Sequence, residues 1–337
     1  MRAVPPPPIP VARTLRLAAL AVLAVLLLAS PAAAQPRSGP VRCRIGAYLT
    51  ALHDFNFATH TFAADLWLWS VCPAASPAPL ATLEFVNANS TTARLTTTVT
   101  TAAGVWSQHK VSGTFRYDWD LTAYPFDRHT LVIVLEEGTA DTRSLVYTPD
   151  TANTGASPHA APAGWRITGL QLRGGTDTYT TTFGDPTLPQ GGRSTFTQVT
   201  LAIPIARTDR LSFVKLTFVV YIAFLVSLIS YFLNMQNPTM LTARLGVISG
   251  ALFAVAVNLR TATAALASEE RFTLVDQIHA AALVALLIDA VAALVTQLLV
   301  ERGRSAATVT RFDRIVMGAV VVGFVAVNAW LIGSAAA

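Results

Sequence analysis

The run LSFVKLTFVVYIAFLVSLISYFL at residues 211–233 carries a single charge, Lys215. It matches the roughly 20 apolar residues that a helix needs to cross the hydrocarbon of a bilayer. Three comparable runs follow: Leu241 to about Ala262, Phe272–Val300 and Ile315–Ile332. Residues 211–333 therefore read as four spanning helices. Composition points the same way. The chain is 53% hydrophobic and 13% charged, with a mean hydropathy of +0.49, whereas soluble proteins carry roughly 25% charged residues. A wholly soluble chain is excluded on these grounds. The net charge of +5 is modest, and no dense Lys/Arg run is interleaved with aromatics, so nucleic-acid binding has no support.

Working toward the N-terminus, Arg2, Arg13 and Arg16 precede the apolar stretch Leu17–Leu28, and Ala32, Ala33 and Ala34 lead to Gln35. This tripartite pattern predicts a secretory signal peptide at residues 1–34, its apolar core being short for a span; an uncleaved anchor helix is the alternative. Residues 35–210 would then lie outside the cytoplasm. There Cys43 and Cys72 meet oxidising conditions, and they are either disulfide-bonded or two buried thiols on neighbouring strands. Period-2 runs broken at Gly, Pro and Asn sites recur through this segment. Examples are residues 62–69, the Thr-rich 94–101, 130–135 and 196–205. They predict an all-β sandwich, with residues 174–192 as a hairpin with a long exposed tip.

If the front half is exported, the first span enters from outside. Arg244, at the end of the first inter-helix loop, and Arg302, Arg304, Arg311 and Arg314, assigned to the third, then fall on the cytoplasmic side. Glu269 and Glu270 fall outside. The positive-inside rule gives the same orientation independently.

The second span is the odd one. Its charge-free part, Leu245–Leu259, is short, contains Gly246, Gly250 and Asn258, and ends in Arg260. Polar and charged groups are costly against lipid, so this helix belongs inside a bundle or along a pore. One helical face carries Gly246, Gly250, Phe253, Val257, Arg260 and Ala264. Tight packing through the two glycines is the competing explanation of that face.

The segment YDWDLTAYPFDRHTL at residues 117–131 resembles the signature loop of the pentameric ligand-gated ion channels, the Cys-loop receptor superfamily. An aromatic-Pro-aromatic-Asp core lies between two positions with thirteen residues separating them. Cysteines occupy those positions in animal members; here they are Tyr117 and Leu131, as in bacterial relatives. Val111–Phe115, the strand ending at Arg207, the four spans and Phe272–Gln277 follow in the family's order. The resemblance covers nearly the whole mature chain.

The resemblance implies a homopentamer in a bacterial inner membrane, with an immunoglobulin-like sandwich and the C-terminus both periplasmic. The second helix of each subunit would line the pore, where Phe253 forms an apolar constriction that can close by dewetting. It also implies coupling between the domains through Pro125, Phe126, Asp127, Arg207 and Asp276, with Pro125 and Phe126 pressing on the loop 264–276. An agonist site would form between subunits, with Trp67, Trp69, Phe85, Asn87, Tyr179 and Phe183 as positional candidates.

Departures from the family pattern matter. The first span lacks the usual proline, no acidic ring precedes Arg244, and Arg260 would bias the pore toward anions. The loop after the signature offers no aromatic for an amine cage. An acid, a small polar solute, a divalent cation or protons are therefore favoured as agonist; Glu136 and Glu137 are either cation ligands or carboxylates simply solvated on a loop. Asp289, deep in the third span, is a candidate proton sensor or a hydrogen-bonded helix contact.

No GxSxG, P-loop or HExxH pattern is present, so no enzyme, metal or cofactor is expected. The rival reading is a non-conducting membrane receptor on the same fold, which the short cytoplasmic loops disfavour.

Overall fold

The computed structural model describes residues 2–5, 39–73, 79–186, 188–233, 237, 239–266 and 272–336. The signal-peptide segment from residue 6 and its cleavage point lie outside the described residues, as do Glu269 and Glu270.

Among the described residues eleven strands precede the helices: β1 (Val41–Asn56), β2 (Thr61–Cys72), β3 (Leu83–Phe85), β4 (Ala88–Thr101), β5 (Gly104–Arg116), β6 (Arg128–Asp141), β7 (Leu145–Pro149), β8 (Gly155–Ala156), β9 (Trp165–Ile167), β10 (Gln171–Tyr179) and β11 (Ser194–Arg207). They form two sheets. The first runs β4-β5-β2-β1-β7 with β8 beside β1, and the second runs β10-β11-β6-β3 with β9 beside β11. The period-2 pattern explains why they stack. Ile45, Leu49, Phe62, Leu66 and Phe115 from the first sheet share one buried cluster with Leu131, Ile133, Leu135, Leu201 and Ile203 from the second. Their alternate neighbours face outward. The Thr-rich stretch lies on β4, an edge strand exposed along almost its whole length.

Cys43 and Cys72 are disulfide-bonded across β1 and β2, with Cα atoms 4.4 Å apart. Of the two alternatives left by the sequence, this is the bridge. Beside it, Gly46 pairs with Trp69. A Cβ at Gly46 would lie 2.3 Å from Trp69 Cζ2, so the indole crosses the strand only because no side chain is there. Trp69 Nε1 then donates to Asp150 Oδ2 at 3.2 Å.

Among the described residues four helices follow: α1 (Leu211–Ile229), extended by a 3-10 turn at Ser230–Phe232, α2 (Met240–Leu266), α3 (Leu274–Glu301) and α4 (Ala306–Ala336). All four are long and apolar enough to cross a membrane. Two boundaries differ from expectation. Helix α4 begins at Ala306, so Arg311 and Arg314 sit on it and not in the preceding loop. Helix α2 begins at Met240, which puts Arg244 inside the helix. Local hydropathy places a helix boundary where charge appears, and here the polar residues continue the helical hydrogen bonding. Val220, Phe224, Val255, Ile278, Leu286 and Phe324 form the bundle core, with the Phe224 and Phe324 rings stacked at 4.1 Å. Outward-facing Phe218, Leu287, Val322 and Trp330 are all more than half exposed. So large an apolar surface fits a multi-pass membrane protein.

Candidate functional site

Helix α2 has two contrasting sides. Arg244, Ile248, Ala251 and Val255 are buried against the bundle, whereas Gly246, Gly250, Phe253, Val257 and Arg260 are exposed on the opposite side. Phe253 is 72% exposed. A Cβ at Gly246 or Gly250 would meet nothing within 4 Å, so neither glycine serves packing inside this chain. The side chain of Ala264 lies outside the described residues. Asn258 faces protein. Its Nδ2 donates to the Leu216 carbonyl at 2.7 Å and lies 2.9 Å from His279 Nε2. His279 Nδ1 is 2.7 Å from the Val275 carbonyl. A carbonyl only accepts, so Nδ1 carries the proton and Nε2 is free to accept from Asn258.

At the foot of the sandwich, Arg207 Nε and Nη2 donate to the two oxygens of Asp127 at 2.7 and 3.1 Å. His129 Nε2 lies 2.9 Å from Asp127 Oδ2. Because an ionised carboxylate only accepts, this nitrogen carries a proton and donates. The pair is almost fully buried, with side-chain exposures of 11% for Arg207 and 1% for Asp127. The guanidinium also lies 4.2 Å from the Trp165 ring and 4.7 Å from that of Tyr124. Burial alone raises the Asp127 carboxyl. The hydrogen bonds and charges of His129 and Arg207 together outweigh it and hold the carboxyl below its ordinary value.

Pro125 is buried, and the Phe126 ring meets Phe213 of α1 at 5.4 Å; of the expected partner loop 264–276, residues 267–271 lie outside the described residues. The signature loop reaches α3 through its backbone, Leu274 N donating to the Thr122 carbonyl at 2.9 Å. Among the described residues Asp276 makes no cross-domain pair. Its Oδ2 accepts from Thr273 N and Oγ1 at 2.9 and 2.7 Å, closing a capping box at the start of α3.

The six ligand candidates do not converge within one chain. Trp67 and Trp69 lie on β2 in the first sheet; Phe85 lies on β3 and Tyr179 at the end of β10, both in the second. Asn87 is spent on the backbone, its Nδ2 donating to Val132 O at 2.7 Å and its Oδ1 accepting from Val134 N at 3.0 Å. Phe85 helps line a cavity of about 570 Å3 with Glu84, Thr91 and His109. Tyr179 and Phe183 do meet, ring centroids 5.2 Å apart, with Phe196 as a third ring about 6 Å from each.

Glu136 and Glu137 are on β6 and buried, not solvated on a loop. Glu136 accepts from Tyr179 Oη at 2.7 Å and from Gln198 Nε2 at 3.1 Å. Glu137 accepts from Tyr147 Oη at 2.9 Å. The hydrogen bond to Glu136, and then burial, raise the Tyr179 hydroxyl far above its ordinary range and keep it a donor. Among the described residues no cluster of three His, Cys, Asp or Glu is suited to a metal ion.

Sequence reasoning missed a polar network inside the bundle. Arg244 is fully buried, and its Nη1 donates to Asp313 Oδ1 on α4 at 3.0 Å. Thr296 Oγ1 donates to the same oxygen at 2.7 Å. The Arg244 guanidinium lies over the Tyr231 ring at 4.3 Å, and Tyr231 Oη donates to Asp289 Oδ1 at 2.7 Å. Ser227 Oγ supplies the second Asp289 oxygen at 2.8 Å. Asp289 is thus a hydrogen-bonded helix contact, and α1, α2, α3 and α4 all contribute to one network. Compared with known proteins, the chain matches no family model and no curated sequence.

Proposed function

We propose that the chain is one subunit of a homopentameric ligand-gated ion channel of the bacterial inner membrane. Its immunoglobulin-like sandwich and its C-terminus are periplasmic. An agonist held between subunits by the sandwiches opens a pore lined by the exposed side of α2. The observation that carries this reading is that side itself: Gly246, Gly250, Phe253, Val257 and Arg260 are exposed on a helix whose other side is buried. An arginine and two unpacked glycines suit water or another subunit far better than acyl chains. Five copies would enclose them, with a ring of Phe253 as an apolar gate and Arg260 near one mouth favouring anions.

The signature-loop likeness and the Asp127–Arg207 pair beside α1 support the same reading. In it, agonist-driven movement of the sandwich reaches the helices through Phe126 against Phe213 and through Thr122 against Leu274. The test is purified protein in planar bilayers, with its mass measured in detergent. Five-subunit particles and reversal potentials that follow the anion gradient support the proposal. A monomer that conducts nothing and binds solutes only through the sandwich favours the non-conducting receptor instead.

A further inference from the structure

The polar network of the bundle sets two carboxyl groups against one guanidinium. Arg244 on α2, Asp289 on α3 and Asp313 on α4 are all buried. Tyr231, in the turn after α1, lies under the guanidinium and bonds to Asp289. The other buried ionisable side chains of the helices, among the described residues, are Asp276 and His279 near the start of α3. Ten residues of helix, about 15 Å, separate His279 from Asp289. With both carboxyls ionised, the network would hold an uncompensated negative charge in a dry interior. One proton restores neutrality, and it has two candidate addresses.

Asp313 takes a hydrogen bond from Arg244 Nη1, and a guanidinium has no acceptor for a carboxyl proton. Asp289 does face an acceptor. Ser227 Oγ lies 2.8 Å from Asp289 Oδ2 and 2.7 Å from the Phe224 carbonyl oxygen. The hydroxyl has one hydrogen, and a carbonyl only accepts. Both contacts are full hydrogen bonds only if Ser227 gives its hydrogen to the carbonyl and receives one from the carboxyl. On the other side, Tyr231 Oη donates to Asp289 Oδ1 at 2.7 Å. A neutral carboxylic acid satisfies the whole set, whereas a carboxylate leaves the Ser227 hydrogen divided between two acceptors.

The guanidinium is placed to respond. Its Nε and Nη2 are buried with no hydrogen-bond partner among the described residues. It lies 4.3 Å from the Tyr231 ring, whose hydroxyl holds Asp289. We propose that Asp289 is a proton-binding site, filled at neutral pH, whose emptying turns Arg244 from Asp313 toward Asp289. The proton passes from Oδ2 to water. The carboxylate left behind attracts the two unspent N–H groups, and the anchor of α2 moves from α4 to α3. The ionisable groups facing Asp289 are Tyr231, Arg244 and, beyond the guanidinium, Asp313. The proposal concerns the bundle alone and does not depend on conduction.

Infrared spectroscopy of the intact detergent-solubilised protein, titrated from pH 6 to pH 10, tests it. At neutral pH the carbonyl band of a protonated carboxylic acid should be present. It should be missing in Asp289→Asn, shift in Ser227→Ala, which removes the acceptor, and fade as the pH rises. Asparagine has the shape of the protonated acid, with an amide N–H for Ser227 and a carbonyl for Tyr231. Asp289→Asn should therefore fold with little change in melting temperature; if it is not recovered, the Ser227→Ala shift carries the assignment. Melting temperatures test the transfer of Arg244. Asp313→Asn should lower the value strongly at pH 6, where Arg244 has no other carboxylate, and by about half as much or less at pH 9. In Asp289→Asn/Asp313→Asn that pH dependence should vanish. Equal acid bands in the unmodified and Asp289→Asn proteins overturn the proposal. So does a band that persists to pH 10, or a cost of Asp313→Asn that ignores pH. A protein that shows the expected changes yet carries no current would sink the channel reading and leave this proposal standing.

Discussion

Arg244 of α2 and Asp313 of α4 meet inside the helical bundle, 3.0 Å apart and 69 residues apart in sequence. A buried charge is tolerated in such a place only when paired and hydrogen-bonded. Asp313 has Thr296 as a second donor, and Tyr231 covers the guanidinium. The pair fixes the buried side of α2 and therefore which side of that helix is left facing outward.

Removing one partner should cost far more than removing both. Arg244→Met or Asp313→Leu alone leaves an uncompensated buried charge, an expected loss of about 3–5 kcal/mol. The double variant should lose much less than the sum of the two. Thermal unfolding of the four proteins in detergent, read as a double-mutant cycle, measures the coupling. Additive losses would mean that the two side chains do not interact.

The Asp127–Arg207 pair predicts an acid limb to stability. The carboxyl is depressed in the folded state below its ordinary 3.8. Its contribution is therefore fully present above that value and is lost only as the pH falls below it, through the folded value. Asp127→Asn should flatten this limb in unfolding curves recorded from pH 6 to pH 2. Arg207→Ala should destabilise by about 3–5 kcal/mol at neutral pH. In the proposed channel it should also uncouple agonist from current, giving a reduced maximal response in voltage-clamp recordings.

The disulfide closes a loop with a sequence separation of 29. On the chain-entropy account, Cys43→Ala/Cys72→Ala should lose about 3–4 kcal/mol. The melting temperature of the unmodified protein should fall by a similar margin on full reduction, while the double variant should ignore reductant.

The proposed channel predicts a leak. In it, replacing five Phe253 rings by methyl groups would remove the apolar constriction, so Phe253→Ala should conduct without agonist. Phe218→Ala, on an outward apolar face of α1, should not. Baseline current in reconstituted patches distinguishes them.

Much of the architecture was legible because it rests on local periodicity. Alternation in β2, β6 and β11 located the sandwich core, and apolar run length located all four helices. Helical spacing put Gly246, Gly250, Phe253, Val257 and Arg260 on one side of α2, and that side is exposed in the single chain; spacing left open whether the two glycines pack against another helix. What escaped depends on partners distant in sequence. Arg244 looked like a cytoplasmic flanking charge because its carboxylate is on another helix. Asp289 looked isolated because Ser227 and Tyr231 are about 60 positions away. Asn87 resembled a ligand contact, yet its amide is taken by the backbone of β6, which no spacing rule reveals. Asp276 is the instructive miss: a Thr three residues before an acid is a local capping signal, and it was present in the sequence.

Labelling by a membrane-impermeant thiol reagent in liposomes tests the lining role of α2 most directly. The chain has two cysteines, and they are bonded to each other, so a single introduced thiol reports without background. Val257→Cys and Gly250→Cys should react, with Phe253→Cys reacting faster once the channel is activated, while Phe218→Cys and Leu287→Cys stay protected by lipid. Val257→Cys and Gly250→Cys as inert as Phe218→Cys would place that side of α2 against acyl chains and contradict the pore.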